Sequence, residues 1–565
     1  MTHRKGIFNA AIAGILVLGL VAGFAGCGTS TSQGGGNERR TAIDMEQALN
    51  RLDSLYEQID VYRLTPRMDG AAAYEEVGTV LPDISEYPFV VNPTTDNYLT
   101  IYASPEKSGT GYASWLIDIA ESFNKSGSTV HGQPISVGVR SIPNGLGADF
   151  ISSGKYKPDV FAPSSELWGD VLIGRGITIS RLDVRTAGNV AGVVLSTKKN
   201  EELTNKYGSS GIDAVVNGVL NGEVALAYAD PLSNTEGLNF LLTAMRIFDA
   251  ADMFSDTSII QFRQLQDSIV YVAYDSAQLK GSALGGSLDG FVSDYHTYIN
   301  SPELGSSYKF IPFGVRHDQP LYEIGELSEI KHGIALAFSA YCKTSDSQNL
   351  ASDKGFNGLE DYVYEYAKPE GRDIIRAQEI WKQEKSGSRD LTAVFVADIS
   401  GSMEGSPILK LKASLYRAAD FIDANTNIGL VTFSDSVNIA LPIAKFDNAQ
   451  RAGFTNAVRS MQEGGGTAMF DAAVVALKML TEAQERNPNT KLMLFILTDG
   501  ESNRGYTFKD TEDVIAGLRI PVYTIGYNAD IENLRLLSNI NEATAMDAET
   551  DDIIYKLQSL FNVHM

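Results

Sequence analysis

The sequence predicts an α/β protein built on more than one mostly parallel sheet, and three observations carry that reading. The chain has 565 residues, too many for one core and enough for two to four domains of roughly 100 to 200 residues. From residue 98 onward, short apolar strands alternate with amphipathic helices, the pattern of parallel sheets covered on both faces. Two strands, LTAVFVAD at 391–398 and KLMLFILT at 491–498, are near-continuous apolar runs, as strands buried on both faces must be.

Composition narrows the function classes. Hydrophobic residues make up 44%, an ordinary globular content, and the net charge is -24 with the acid spread along the chain. Nucleic acid is excluded as a partner, because binding it needs a basic stripe. Only Cys27 and Cys342 occur, which rules against a disulfide scaffold or a thiolate metal cluster.

The order of elements starts at a membrane. Arg4 and Lys5 precede an uncharged apolar stretch, residues 6–26, that closes on FAGC at 24–27. A stretch that long also suits an uncleaved anchor. The small Ala25 and Gly26 before the cysteine make it resemble a bacterial lipoprotein signal, in which residues 1–26 are removed and Cys27 carries lipid. That resemblance implies a protein held by lipid at the outer face of the cell membrane. Residues 27–40, rich in Gly, Ser and Thr, read as a flexible tether.

Residues 41–94 form a helical, then irregular segment. Ile43, Leu49, Leu52, Leu55, Tyr56 and Ile59 recur at helical spacing up to about Arg63, and the helix is expected to pack on the module that follows. Pro82, Pro88 and Pro93 break up the rest.

Residues 95–365 carry the first βα pattern: strands YLTIYAS at 98–104, PISVGVR at 134–140 and PDVFAPSS at 158–165, then VLNGEVALAYADPLSNTEGL leading through a loop into a helix. Together with DQPLYEIGELSEIKHGIALAFSAYCKTSDSQNLASDKGFN at 318–357, these stretches resemble the extracellular solute-binding proteins of transport systems. The resemblance implies a periplasmic-binding-protein-like module of two lobes around a cleft, one lobe holding about 95–205 and 300–365, the other about 206–299. Ligands of such sheets sit beyond the strands' carboxyl ends, where Ser104, Ser108, Ser164, Ser165, Asp230, Ser233, Asn234 and Thr235 are candidates to touch a small solute. The same hydroxyls and amides also suit helix capping. The turns read as free of basic residues, which argues against a doubly charged anion.

Residues 366–390, highly charged and opening with Pro369 and Gly371, read as a linker with a short helix packing Ile374, Ile375 and Trp381 on one neighbour. Residues 391–565 then form a complete doubly wound α/β domain, with a last helix near 549–562. Three loops at the carboxyl side of its strands bring oxygens to one place: Asp398, Ser400 and Ser402, then Thr467 after three glycines, then Asp499. Five hard oxygen donors without nitrogen or sulfur suit Mg2+, with Ca2+ or Mn2+ as alternatives. Capping of a helix start by Asp398 or Ser400 is the plainer reading of the first three. The five positions resemble the metal-ion-dependent adhesion site of the von Willebrand factor A (VWA) family, a Rossmann-like fold. The resemblance implies direct ligation by Ser400 and Ser402, ligation by Thr467 directly or through water, and aspartates acting often through water. It also implies capture of a carboxylate from a protein partner at a vacant metal position. Ser406 and Pro407 stand where many members carry a nearby lysine.

Catalysis finds no support in the sequence. The six histidines form no H-x-x-H spacing, Ser400 and Ser402 lack a G-x-S-x-G elbow, and Cys342 lies in an apolar helical run. The sequence therefore predicts a non-enzymatic, lipid-anchored binding protein. The alternative is the solute-binding component of a transport system, its C-terminal domain serving assembly.

Overall fold

A computed structural model of the chain describes residues 43–64, 81–273, 276–286, 288–385, 387, 389–422, 425–500, 502–527, 534, 538 and 545–547. The signal stretch, Cys27, the tether and the helix expected near 549–562 lie outside the described residues. Among the described residues no helix is long and apolar enough to cross a membrane.

The C-terminal domain is built on one sheet, ordered Val61–Arg63, Val437–Lys445, Asn427–Phe433, Leu391–Asp398, Lys491–Thr498, Val522–Gly526 and Ala545–Asp547. Its central strands are parallel, and Val437–Lys445 turns back antiparallel on Asn427–Phe433. Strand Leu391–Asp398 is buried along its whole length. Ala393, Phe395 and Ala397 face the helices Ser406–Phe421 and Asn448–Ser460, whereas Val394 and Val396 face Met469–Arg486 and Phe508–Leu518. This two-sided burial is why the strand reads as unbroken apolar sequence.

The N-terminal helix does not pack on the module that follows it in sequence. Met45–Tyr56 lies on the C-terminal domain, burying Ala48 and Leu52 completely against Val514, Ile515 and Leu518. Gly517 admits that approach, since a Cβ there would meet Ala48 Cβ at 2.6 Å. Lys478 pairs with Asp53 at 2.7 Å, and Val61–Arg63 joins the sheet as its edge strand. The first βα module is thus an insertion between the first helix and strand of the C-terminal domain and the rest of it. Helical periodicity marks an apolar face but carries no address for its partner.

That inserted module has two sheets. One is ordered Phe89–Val91, Gln133–Ser141, Asn97–Ala103, Val160–Ala162, Leu321–Ile324 and Ile179–Asp183; the other Val272–Ala273, Leu226–Ala229, Gly290–Asp294, Ala191–Ser196 and Tyr308–Phe313. The lobe boundaries therefore fall at about 184–190 and 314–320, not near 205 and 300. Ala191–Ser196 and Tyr308–Phe313 pair with each other antiparallel, placing both in the second lobe. Pairing across so long a separation leaves no local signal in sequence.

The segment expected as a linker is instead part of the module's core. Gly371–Glu384 is a full helix whose Ile374, Ala377 and Trp381 are completely buried in an apolar cluster drawn from both lobes. Gly371 approaches Asp170 and Gly174 of the first lobe, while Trp381 Nε1 donates to Tyr228 Oη at 2.8 Å and Gln378 Nε2 to Pro231 O at 2.9 Å in the second. The sequence places this apolar stripe on one neighbour; the structure buries it between two, because a narrow stripe among charges does not say how many surfaces it meets.

Candidate functional site

Four of the five predicted oxygen donors of the C-terminal domain follow the carboxyl ends of the adjacent strands Leu391–Asp398 and Lys491–Thr498, and Thr467 comes from the loop between the helices Asn448–Ser460 and Met469–Arg486. Leu391–Asp398 ends on Asp398, which is fully buried; its Oδ1 accepts from Ser400 N at 2.8 Å and its Oδ2 from Thr498 Oγ1 at 2.6 Å. Neither Asp398 nor Ser400 caps a helix, since the short turn Gly401–Met403 starts without a side-chain cap; the Asp398 bond to Ser400 N is a local turn that orders the loop presenting Ser400. Ser402 Oγ donates to Asp499 Oδ1 at 2.9 Å and lies 3.0 Å from Ser400 Oγ.

The threonine arrives on a loop clasped to the first one. Gly401 N donates to Gly465 O at 3.0 Å and Gly464 N to Ile399 O at 2.9 Å. Gly465, at φ +84, is required: a Cβ there would lie 2.3 Å from Asp435 Oδ2. Thr467 is buried; its N–H donates to Asn503 Oδ1 at 2.9 Å and its carbonyl accepts from Ser502 Oγ at 3.0 Å. Ser502, Asn503 and Asp435 escaped the sequence reading because each acts through a loop contact, with no motif spacing of its own.

Burial raises the pKa of Asp398, with the charge of Asp499 adding to it, and burial raises Asp499 as well. Two close carboxylates with raised pKa values, beside hydroxyl oxygens, are a set that a cation would stabilise. Among the described residues no three His, Cys, Asp or Glu side chains group so as to hold a metal. The fit is therefore to a mixed hydroxyl and carboxylate cage for a hard ion, in which Ser400, Ser402, Thr467, Asp398 and Asp499 would hold it.

Residues 393–562 match the family model of the von Willebrand factor type A domain. The C-terminal domain is a VWA domain. Inter-alpha-trypsin inhibitor heavy chain H1 of Sus scrofa is 29% identical over 187 residues, 30% of this chain and 20% of that protein. The Mesocricetus auratus H1 chain is 30% identical over 183 residues, with the same coverage. This chain thus spans about a fifth of the length of the curated relatives it matches. Among solved structures it is similar to a periplasmic thiamin binding protein, at 12% identity and TM-score 0.39, covering 52% of this chain and 99% of that one. It is also similar to the von Willebrand factor type A structure from Catenulispora acidiphila, at 18% identity and TM-score 0.28, covering 31% and 42%. VWA domains often bind a divalent metal.

The inter-lobe residues behave differently from the cage. Most of the predicted contacts are spent locally. Ser108 Oγ donates to Ser104 O at 2.8 Å, Ser165 and Asn234 cap helices, and Asp230 accepts from Leu232 N and Ser233 Oγ. Burial pushes the Asp230 carboxyl up to about 6. Ser164 and Thr235 are hydrogen-bonded to each other at 2.7 Å, across the lobes, with Trp168 Nε1 donating to Thr235 at 2.7 Å. Gly145 of the first lobe closes on the second, where a Cβ would lie 2.2 Å from Leu232 O. Ser104 Oγ alone of the eight predicted side chains is buried with no hydrogen-bond partner.

Two features of the cleft escaped the sequence reading. Lys107 does stand in the first turn, completely buried, with Nζ donating to Pro163 O at 2.9 Å and burial pushing its pKa down to about 7. Glu106, Glu236 and Asp294 also converge there. Charged residues at helix starts read as ordinary solvated caps, and only the closing of two lobes turns them into one cluster.

Proposed function

We propose that this protein is a lipid-anchored binding protein of the cell exterior, in which the VWA domain holds a divalent cation, Mg2+ foremost, and captures an acidic group of a protein partner. The hydrogen-bonded run from Ser400 through Ser402 to Asp499, beside the buried Asp398, is the observation that supports it. Asp398 is oriented by Thr498 and Ser400, so it holds the first loop in place; Gly464 and Gly465 seat the second loop against it. A bound divalent ion would supply a concentrated positive charge, and neutral hydroxyls around it leave that charge uncancelled for a partner's carboxylate. Cys27 would tether the whole at the membrane, and no catalytic role is assigned. Calorimetric titration of the full chain with magnesium tests the reading. Binding abolished by Asp398→Ala supports it; no binding, or binding indifferent to that change, refutes it. The titration needs residues 43–63, because a fragment starting at 391 lacks the first helix and edge strand of its own domain.

The inter-lobe cluster of buried polar groups favours a second reading alongside this one, that the inserted module binds a small solute.

A further inference from the structure

Glu106, Glu236 and Asp294 come from three elements that meet where the lobes close. Glu106 follows strand Asn97–Ala103, Glu236 lies in the first turn of helix Thr235–Phe248, and Asp294 ends strand Gly290–Asp294. A hydrogen-bond path runs between the lobes beside them. Glu106 Oε1 accepts from Asn144 Nδ2 at 3.1 Å, and Asn144 Nδ2 reaches Ser164 Oγ at 3.1 Å. Ser164 Oγ then meets Thr235 Oγ1 at 2.7 Å, one residue before Glu236.

The outer oxygens of this path are unused. Glu106 Oε2 and Glu236 Oε2, one from each lobe, are buried without a partner in full hydrogen-bond geometry; beside them lie only the Ser104 hydroxyl and the Glu106 N–H in one lobe, and the Glu236 N–H and the Asp294 carboxyl in the other. His317 Nδ1, on a ring with 0% exposure, also lacks a partner, and the charge of Asp294 acts on that ring. Its other nitrogen is held by Asn239 at 3.1 Å. A buried acceptor without a donor costs about 1–3 kcal/mol, and here two carboxylate oxygens stand unmatched on opposite sides of one closure.

The charge has one sign. Burial raises Glu236 well above the ordinary carboxylate range, with Asp294 and Glu106 adding to it; burial and Asp294 raise Glu106 likewise. Lys107 offsets part of this, its charge acting against the rise of Glu106, but it is one base against three acids and its Nζ is held by Pro163 O. An oxyanion such as sulfate would add negative charge to acids that burial and one another already hold back from ionising, whereas a cation favours their ionised form. A bare metal ion finds no grouping of three acid, His or Cys ligands among the described residues. What the set lacks is a cation carrying N–H donors.

We propose that the inter-lobe site takes a small protonated amine, its ammonium N–H groups donating to Glu106 Oε2 and Glu236 Oε2 from opposite lobes, with Asp294 as further countercharge. This deepens, and rests on, the reading of the inserted module as solute-binding. Glu106 keeps partial exposure, giving the site an open side. The test is thermal unfolding and calorimetry of the full chain carrying Asp398→Ala, which removes metal effects at the VWA site. The probes are 1,4-diaminobutane and ethanolamine, set against sodium sulfate and calcium chloride. An amine that raises Tm by several degrees, with affinity lowered about tenfold or more in Glu236→Gln and in Glu106→Gln, is the expected result. Stabilisation by sulfate or calcium alone, or amine binding untouched by both substitutions, overturns the amine class and leaves the solute-binding reading standing. No shift with any probe overturns both. Each substitution removes a buried acid, so loss of folding is not the expected outcome.

Discussion

The VWA loops and the inter-lobe cleft both sit at the carboxyl ends of mostly parallel strands, yet they use their polar residues in opposite ways. In the VWA domain Ser400, Ser402 and Asp499 are joined by hydrogen bonds beside Asp398, and the loop that carries Thr467 is clasped to theirs by backbone bonds between residues 399–401 and 464–465. In the cleft, the predicted hydroxyls are largely consumed by caps and by each other, and the ionisable groups that define its character are Glu106, Glu236, Asp294 and Lys107. A site assembled within one sheet keeps its donors in local sequence register. A site assembled by closing two lobes acquires its chemistry from residues that each look like a solvated cap alone.

The comparison breaks first at Asp398. Replacing it with alanine leaves Ser400 N and Thr498 Oγ1 without their buried acceptor, so the expected outcome is loss of magnesium binding together with roughly 2–4 kcal/mol of stability, read by calorimetry and by denaturant unfolding. Comparable in its cost to stability, but without the loss of metal binding, is Leu52→Ala, which empties a fully buried position between the first helix and the VWA core. It should cost about 2–5 kcal/mol, and hydrogen exchange should show protection lost in the VWA strands rather than in the inserted module. Loss confined to the inserted module would contradict the placement of that helix.

Asp230 gives the pH arm. Its folded pKa is raised from 3.8 to about 6 by burial, against the pull of Lys385 and Lys382. A raised folded pKa means the stabilising share of the neutral carboxyl is full below 3.8 and is lost as pH rises through about 6. Relative to Asp230→Asn, the natural protein should therefore lose up to roughly 3 kcal/mol between pH 4 and 7 and nothing more above it. A difference that is flat with pH would show that Asp230 is solvated. Ser164→Ala removes the direct lobe-to-lobe bond to Thr235 and should cost about 1 kcal/mol while loosening the closed cleft, seen as faster exchange of amides near residue 235. Smallest of all is Arg504→Ala. Its pair with Asp435 is more than half exposed on both sides, so stability should change by no more than about 0.5 kcal/mol.

Much of this was legible before any coordinates. The strand at 391–398, the glycine-cushioned Thr467 and the TDG at 498–500 announced the cage, because each feature is local: a two-sided apolar run, a positive φ, a strand end. The two-lobed module was legible as an order of strands and helices. The lobe boundary was misplaced, because Ala191–Ser196 and Tyr308–Phe313 pair across more than a hundred residues. The helix Gly371–Glu384 reads in sequence as a connector because its apolar stripe is narrow and its charges are many; the two facing lobes give that stripe its burial.

By itself, then, the sequence determined the element types, the α/β class and the loops that carry the five candidate oxygens of the VWA domain, since these depend on periodicity, turn geometry and chemistry within a few residues. Tertiary structure alone decided that the first helix and edge strand belong to the VWA domain, that Gly371–Glu384 spans both lobes, and that three scattered carboxylates form one cluster. Those outcomes depend on which apolar face finds which partner, and a hydrophobic face is indifferent to sequence distance.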